Sequence, residues 1–399
     1  MKPNSSSSQQ VVVRPAASTT GLLFVLLLVA FTACNYSSLI RTDRLLDAAS
    51  PHVKTTSAAS ACDVTRGEWV PDPSAPYYTN ATCPFIDGRQ DCIKYGKPEL
   101  ASILRWRWQP HGCDLPRFDP AAFLRLVRHR SMAFVGDSVA RNHMQSLMCL
   151  LSKVEYPQEI QPKDCIHCTR SYHYHEHNFT VTVFWTPFLF MDPHNVYLDE
   201  PDPEWANAIA GYDYVVLNGA KWFTRPVVLH EGGRVLGCSD CGDPNATYVP
   251  PHVAVRAAFR TALRALRDAP GFRGRVVVRT VAPPHYENGK WYDGGNCLRT
   301  RPVRSDEAAA ALPETGAAFH AAQVEEFRAA AAGAASLDEP GRFVLMDVSE
   351  MMQMRGDGHP GQYGHWPHEK VGFGIDCVHW CLPGPIDAWG ELLLHLLTN

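Results

Sequence analysis

The chain has 399 residues and a formal charge of −4, from 37 Lys plus Arg against 41 Asp plus Glu. With no basic surplus, nucleic acid and anionic lipid surfaces are poor partners for it. Hydrophobic residues at 45% and charged residues at 20% match a packed globular protein and exclude disorder or fibrous repeats for most of the chain.

Residues 1–20 are polar and Ser-rich, and 21–33 form a nearly pure apolar run that residues 34–40 stretch to about the 20 needed to cross a bilayer. Either a cleaved signal peptide or a retained anchor fits this run. Lys2 and Arg14 precede it and Arg41 and Arg44 follow, so flanking charge does not orient it. The long polar leader favours an anchor at 21–40, with a cytosolic tail at 1–20 and the remainder in a lumen. The cysteines agree with that side: thirteen are present, and without Cys34, inside the apolar run, an even number remains for disulfides. Asn80, Asn178 and Asn245 each begin an Asn-x-Thr glycosylation acceptor.

Residues 41–60 lack periodicity and read as a stem. The segment 61–115 holds Cys62, Cys83, Cys92 and Cys113 among turn residues and aromatics, as expected of a small disulfide-stapled cap. From 116 to 399 the rhythm changes to α/β. Strands are predicted at 132–135, 179–185, 212–217, 276–281 and 343–347. Helices are predicted at 139–151, 252–267 and 317–332, with a last one after Pro385 presenting Trp389, Leu392, Leu393 and Leu396 on one face. The expected fold is a parallel sheet covered by helices on both faces.

Gly136-Asp137-Ser138 joins the first of these strands to its helix, so a serine hydroxyl falls at a strand's carboxyl end, where open α/β sheets bind ligands. The helix N–H groups there suit a developing oxyanion. An ordinary N-cap serine fits the tripeptide equally well. Near the other end, Asp376 and His379 stand three residues apart, so Asp376 can reach Nδ1 of His379 and leave Nε2 free to take the Ser138 proton. Cys165-x-x-Cys168 and Cys238-x-x-Cys241 imitate a four-thiolate zinc site, with His173, His175 and His177 nearby. In an oxidising lumen disulfides are favoured over metal, so no metal is expected. Trp106, Trp108, Trp222, Trp291 and Trp380 have flat faces suited to sugar rings, Trp222 and Trp380 first among them, although buried Trp is commonly core.

Several of these segments together resemble the plant trichome birefringence-like polysaccharide O-acetyltransferases, relatives of the SGNH (GDSL-type) esterases. They are Cys62-Asp63 with Gly67-Glu68-Trp69-Val70, Trp106-Arg107-Trp108-Gln109-Pro110, Cys113-Asp114-Leu115-Pro116-Arg117-Phe118, Phe134-Val135-Gly136-Asp137-Ser138 with Arg141-Asn142, Asp357-Gly358-His359-Pro360, and 376–384. The resemblance covers about 62–399. It implies an SGNH-like three-layer sandwich in a single-pass type II Golgi membrane protein with its catalytic domain in the lumen. The implied reaction moves acetyl onto a cell-wall polysaccharide through an acetyl-serine intermediate. Carried over, Ser138 is the nucleophile, His379 the base and Asp376 its orienter, with Arg141, Asn142 and Asn218 as oxyanion candidates. The implied disulfides are Cys62 with Cys113 and Cys83 with Cys149.

The family usually shows Gly-His-Trp after the strand that ends near 217, and this chain has Ala220-Lys221-Trp222. The segment after Ser138 and the Cys238-x-x-Cys241 pair look like the xyloglucan branch, with mannan or xylan acceptors as alternatives. No cofactor is implied beyond an acetyl donor, acetyl-CoA or acetyl relayed by a membrane partner. A polysaccharide acetylesterase and a non-catalytic glycan-binding protein remain rival readings.

Overall fold

The computed structural model describes residues 63–160, 168–189, 195–239, 241, 245–335, 339–369 and 374–399. The expected tail, anchor and stem lie outside these residues. No helix among the described residues is long and apolar enough to cross a membrane. By internal contacts Cys62–Asn399 is one unit.

The cap opens with β1 (Gly67–Pro71), and after a short helix, α1 (Leu100–Ile103), β2 (Trp106–Pro110) pairs with it antiparallel. Trp69 and Trp108 meet edge to face across this strand pair, and the Trp69 indole N–H donates to the Met351 carbonyl at 2.8 Å. The α/β part then runs α2 (Pro120–Leu126), β3 (Ser131–Gly136), α3 (Ser138–Leu151), β4 (Gln158–Ile160), β5 (Arg170–Tyr174), β6 (Phe179–Trp185), β7 (Asn195–Tyr197), α4 (Pro203–Ala208), β8 (Tyr214–Leu217), β9 (Val227–Glu231) and β10 (Arg234–Ser239). It closes with α5 (Pro251–Asp268), β11 (Arg275–Arg279), α6 (Glu314–Ala335), β12 (Phe343–Met346), α7 (Ser349–Gln353) and α8 (Ala388–Thr398).

The main sheet has seven strands in the order β12-β11-β8-β3-β6-β5-β4. Its pairs from β12 through β6 are parallel, whereas β5 and β4 add an antiparallel edge. The expected parallel sheet is thus present from β12 through β6, and the antiparallel edge makes the whole sheet mixed. Its central strands are continuous apolar runs because both faces are covered. Met132 and Phe134 of β3, Val216 of β8 and Val277 of β11 enter one core with α3 and α8. The alternate residues Ala133, Val135, Val215, Leu217, Val276 and Val278 enter a second core with α5 and α6. Period-two alternation thus gives one strand two dry faces, and the helices form layers on either side.

Residues 227–239, unassigned from sequence, form a hairpin that builds a separate three-stranded sheet, β10-β9-β7. Gly232 and Gly233 turn it with φ of 59° and 71°, angles that glycine adopts without steric cost.

Candidate active site

Strand β3 ends in Gly136, whose φ of 154° and whose contact with β8 both require glycine: a Cβ there would lie 2.3 Å from the Asn218 carbonyl oxygen. Asp137 follows as the N-cap of α3, its carboxylate accepting the Val139 N–H at 2.9 Å. Capping is therefore done by Asp137, and the Ser138 hydroxyl is not needed for it. That hydroxyl lies 2.7 Å from Nε2 of His379, and Nδ1 of His379 lies 2.7 Å from Asp376 Oδ2. The structure thus brings Ser138, His379 and Asp376 into one hydrogen-bonded relay.

Asp376 caps its own loop, accepting the Val378 and His379 backbone N–H groups at 3.0 Å each. Burial raises its carboxyl, but the charge of His379 and the hydrogen bonds from His379 and Val378 outweigh burial and hold it well below the usual carboxylate range. It is ionised at neutral pH and fixes the imidazole with Nδ1–H toward itself. The two side chains keep 19% and 20% of their surface, so the relay remains open to a reactant.

The His379 loop has no regular secondary structure and is held by cross-links. Cys377 is bonded to Cys297 and Cys381 to Cys92 of the cap. The Cys83–Cys149 disulfide ties the cap to the last turn of α3, the pairing the family resemblance implies. Cys113 is disulfide-bonded, and Cys62 lies outside the described residues. Behind the loop, Nδ1–H of the buried His359 donates to the His379 carbonyl at 2.6 Å, and His285 contacts Nε2 of His359 at 2.7 Å. Burial pushes both imidazoles down, His285 to about 4. Lys97 of the cap donates to the Asp357 and His359 carbonyls, and Arg355 forms a fully buried pair with Asp357 at 2.8 Å.

Two candidates take other positions than sequence suggests. Asn142 is not free to meet an oxyanion: its Oδ1 accepts the Trp380 N–H at 2.8 Å and its Nδ2 donates to the Trp380 carbonyl at 3.3 Å. It clasps the nucleophile helix to the histidine loop. Trp380 is fully buried and stacks on His359 at 4.1 Å, so it is core and has no face for a sugar. Trp222 is half-buried, with Arg225 stacked 3.9 Å over its ring. Arg141 is buried in the first turn of α3, where burial lowers its pKa and Asp87 of the cap raises it.

Asn218 follows β8 and is fully buried beside Gly136. Its Oδ1 accepts from Arg279, a residue that sequence reading passed over. Ala220 has φ 111°, a glycine-favouring angle and a strained one for alanine. Nζ of Lys221 is buried with no hydrogen-bond partner among the described residues. Burial pushes this ammonium down to about 7, Asp137 pulling it up and Arg279 pushing it further down.

Of the acceptor asparagines, Asn178 and Asn245 are exposed, and Asn80 is half-buried with Nδ2 donating to Asp91. Cys238 and Cys241 are bonded to each other and Cys168 is also oxidised, so none of the three is a free thiolate ligand for zinc. Among the described residues the only group of three metal-type donors within reach of one another is Glu155, Glu176 and His177. Glu155 already accepts from His177 and from the Glu176 N–H.

A serine at a strand end, a histidine poised on its hydroxyl and a carboxylate behind it is machinery for acyl transfer. The family comparison agrees. Residues 115–396 match the PC-Esterase family, described as the GDSL/SGNH-like acyl-esterase family found in Pmr5 and Cas1p, and 60–114 match the PMR5 N-terminal domain. The chain belongs to this family. Its relatives include protein trichome birefringence-like 20 of Arabidopsis thaliana, 45% identical over 350 residues, which cover 85% of this chain and 72% of the relative. Xyloglucan O-acetyltransferase 2 of Arabidopsis thaliana is 39% identical over 352 residues, covering 85% and 83%. Xyloglucan O-acetyltransferase 4 of Populus trichocarpa is 39% identical over 360 residues, covering 87% and 83%. As a PC-Esterase, the protein is an enzyme of acyl-ester chemistry.

Proposed function

We propose that this PC-Esterase transfers acetyl to a hydroxyl of a plant cell-wall hemicellulose, xyloglucan first among them, by double displacement. The observation that carries the reading is the relay itself, two contacts of 2.7 Å joining Ser138, His379 and Asp376. Ser138 Oγ attacks the acetyl carbonyl as His379 Nε2 takes its proton, and His379 then returns that proton to the leaving group of the donor. In the second half an acceptor hydroxyl gives its proton to His379 and attacks the acetyl-serine, and the proton passes back to Ser138. Asp376 keeps the imidazole in the required tautomer. Asn218 Nδ2 and the Ser138 N–H at the start of α3 are the oxyanion donors.

The xyloglucan assignment is supported by the names of the relatives at 39% identity. The disulfides support an oxidising compartment. With the apolar run at 21–40 they favour a Golgi type II anchor, the domain facing the lumen and Asn178 and Asn245 accessible to glycosylation. The acetyl donor is acetyl-CoA or a membrane-relayed acetyl group.

The family description, acyl-esterase, favours a second reading in which water takes the acetyl from Ser138. Incubating the protein with an acetyl donor and bare or acetylated xyloglucan oligosaccharides separates the two: net gain of acetyl on the bare glycan supports transfer, and only loss from the acetylated one supports hydrolysis. Ser138→Ala is expected to abolish the acetyl-enzyme adduct by mass spectrometry and to lower turnover by about 10⁴-fold or more. Turnover unchanged in that variant would discard the mechanism.

A further inference from the structure

Arg279 is the last residue of β11, one position beyond the register pair Val278 and Leu217. It therefore stands beside Asn218 at the carboxyl edge of the sheet, in the row that also holds Gly136. Its side chain is buried, with 2% exposure. One guanidinium N–H donates to Asn218 Oδ1, the plane lies 4.4 Å over the Trp389 ring, and Nε and Nη1 have no hydrogen-bond partner among the described residues. No carboxylate forms an ion pair with Arg279 among the described residues, although Asp137 acts on it from a distance. Burial pushes the group down to about 10, which leaves it charged at neutral pH.

A buried cation with so few partners is costly to keep, and its one described hydrogen bond points to what it does. An asparagine amide has a donor end and an acceptor end of nearly equal shape, and a guanidinium is donor only. Arg279 can therefore be satisfied by Oδ1 alone, which turns Nδ2 the other way. There its nearest described acceptor, the Val135 carbonyl, is at 3.5 Å, the long limit of a hydrogen bond. Positive charge on the carbonyl end also polarises the amide and strengthens its N–H groups as donors.

We propose that Arg279 is a positioning residue for the reaction, locking the Asn218 amide with its N–H groups toward the acyl oxygen and sharpening them as oxyanion donors. The inference rests on the reading of Asn218 given above, and the two fail separately.

The test uses the full chain with Asn218→Ala, Arg279→Met, Arg279→Lys and the double variant Asn218→Ala/Arg279→Met. It reads kcat, the acceptor KM and inhibition by methylboronic acid, whose tetrahedral adduct on Ser138 presents an oxyanion. Arg279→Met is expected to lower kcat about 10²-fold with KM unchanged, the size of a lost oxyanion donor, and to weaken methylboronic acid by a similar factor. Arg279→Lys, which keeps a charged donor, recovers part of both. The double variant is no slower than Asn218→Ala alone, because the arginine acts through the amide. Wild-type kcat in Arg279→Met, or losses that multiply in the double variant, would overturn the proposal. If Arg279→Met fails to fold by near-ultraviolet circular dichroism, the same cycle run with Arg279→Lys decides. Full activity in Asn218→Ala would instead remove the oxyanion reading beneath it.

Discussion

The two halves of the relay are built by opposite means. Ser138 stands on regular elements, β3 and α3, whose side chains fill the core and whose turn is set by Gly136 and the Asp137 cap. His379 stands on a loop with no ladder of its own, between disulfides at Cys377 and Cys381, propped by His359 and clasped by Asn142. Packed regular elements, with the Asp137 cap and the Cys83–Cys149 bridge at the far end of α3, position the nucleophile; cross-links and polar contacts to a loop position the base. A helix tolerates the loss of one contact because its neighbours share the load, whereas a loop held at a few points loses its geometry when one goes.

That contrast can be broken most forcefully at Cys381. A paired Cys92→Ser/Cys381→Ser variant is expected to unfold about 2–4 kcal/mol more easily and to lose acetyl transfer about tenfold or more. Far-ultraviolet circular dichroism at low temperature should stay native, since the sheet and α3 do not depend on that bond. Loss of activity only in step with loss of helix would show that the loop has no separate fragility.

Asn142→Ala sharpens the comparison, because it cuts the clasp between the halves while leaving both disulfides. The Trp380 N–H and carbonyl lose their partners in a buried place, for which about 1–3 kcal/mol is expected in a denaturant titration. A smaller kcat loss than at Cys381, with KM unchanged, would show that the clasp aligns the two halves and the bridge holds the loop.

The smallest effect lies where the cap meets α8. Tyr77 donates to Glu391, and Tyr78 and Ser146 donate to Asp387 at 2.7 Å and 2.6 Å. Burial raises the two carboxyls, Glu391 to about 7 and Asp387 to about 6. A raised carboxyl pKa means the fold binds the proton more tightly than the unfolded chain. Its stabilisation is complete below the unfolded value and declines as pH rises toward the folded one. Glu391→Gln mimics the protonated form, so its Tm should match wild type near pH 4 and exceed it near pH 8. A constant difference across that range would refute the assignment.

What was legible in the sequence follows the same division. Ser138 could be placed because strand, turn and helix are contiguous, and Asp376 because it lies within a turn of His379. The hairpin at 227–239 was legible too, through Gly232-Gly233 between the short apolar stretches Val227-Val228-Leu229 and Val235-Leu236. Asn142 and Trp380 were misplaced because their meeting spans 238 positions, and nothing local in either motif tells a clasp from an oxyanion donor or a core ring from a sugar platform. Arg279 was invisible for a related reason: at a strand end its partner is chosen by the neighbouring strand's register. The antiparallel edge was not legible because β5 and β4 have only five and three residues, and nothing in a strand's own pattern gives the direction of its pairing.

The two bridges that flank His379 attach it to distant parts of the chain, 80 and 289 positions away. The loop that carries the base is thus tethered only once Cys377 has been joined to Cys297 and Cys381 to Cys92, thiols far upstream. Activity is then expected to appear with oxidation of these two pairs rather than with collapse of the sheet.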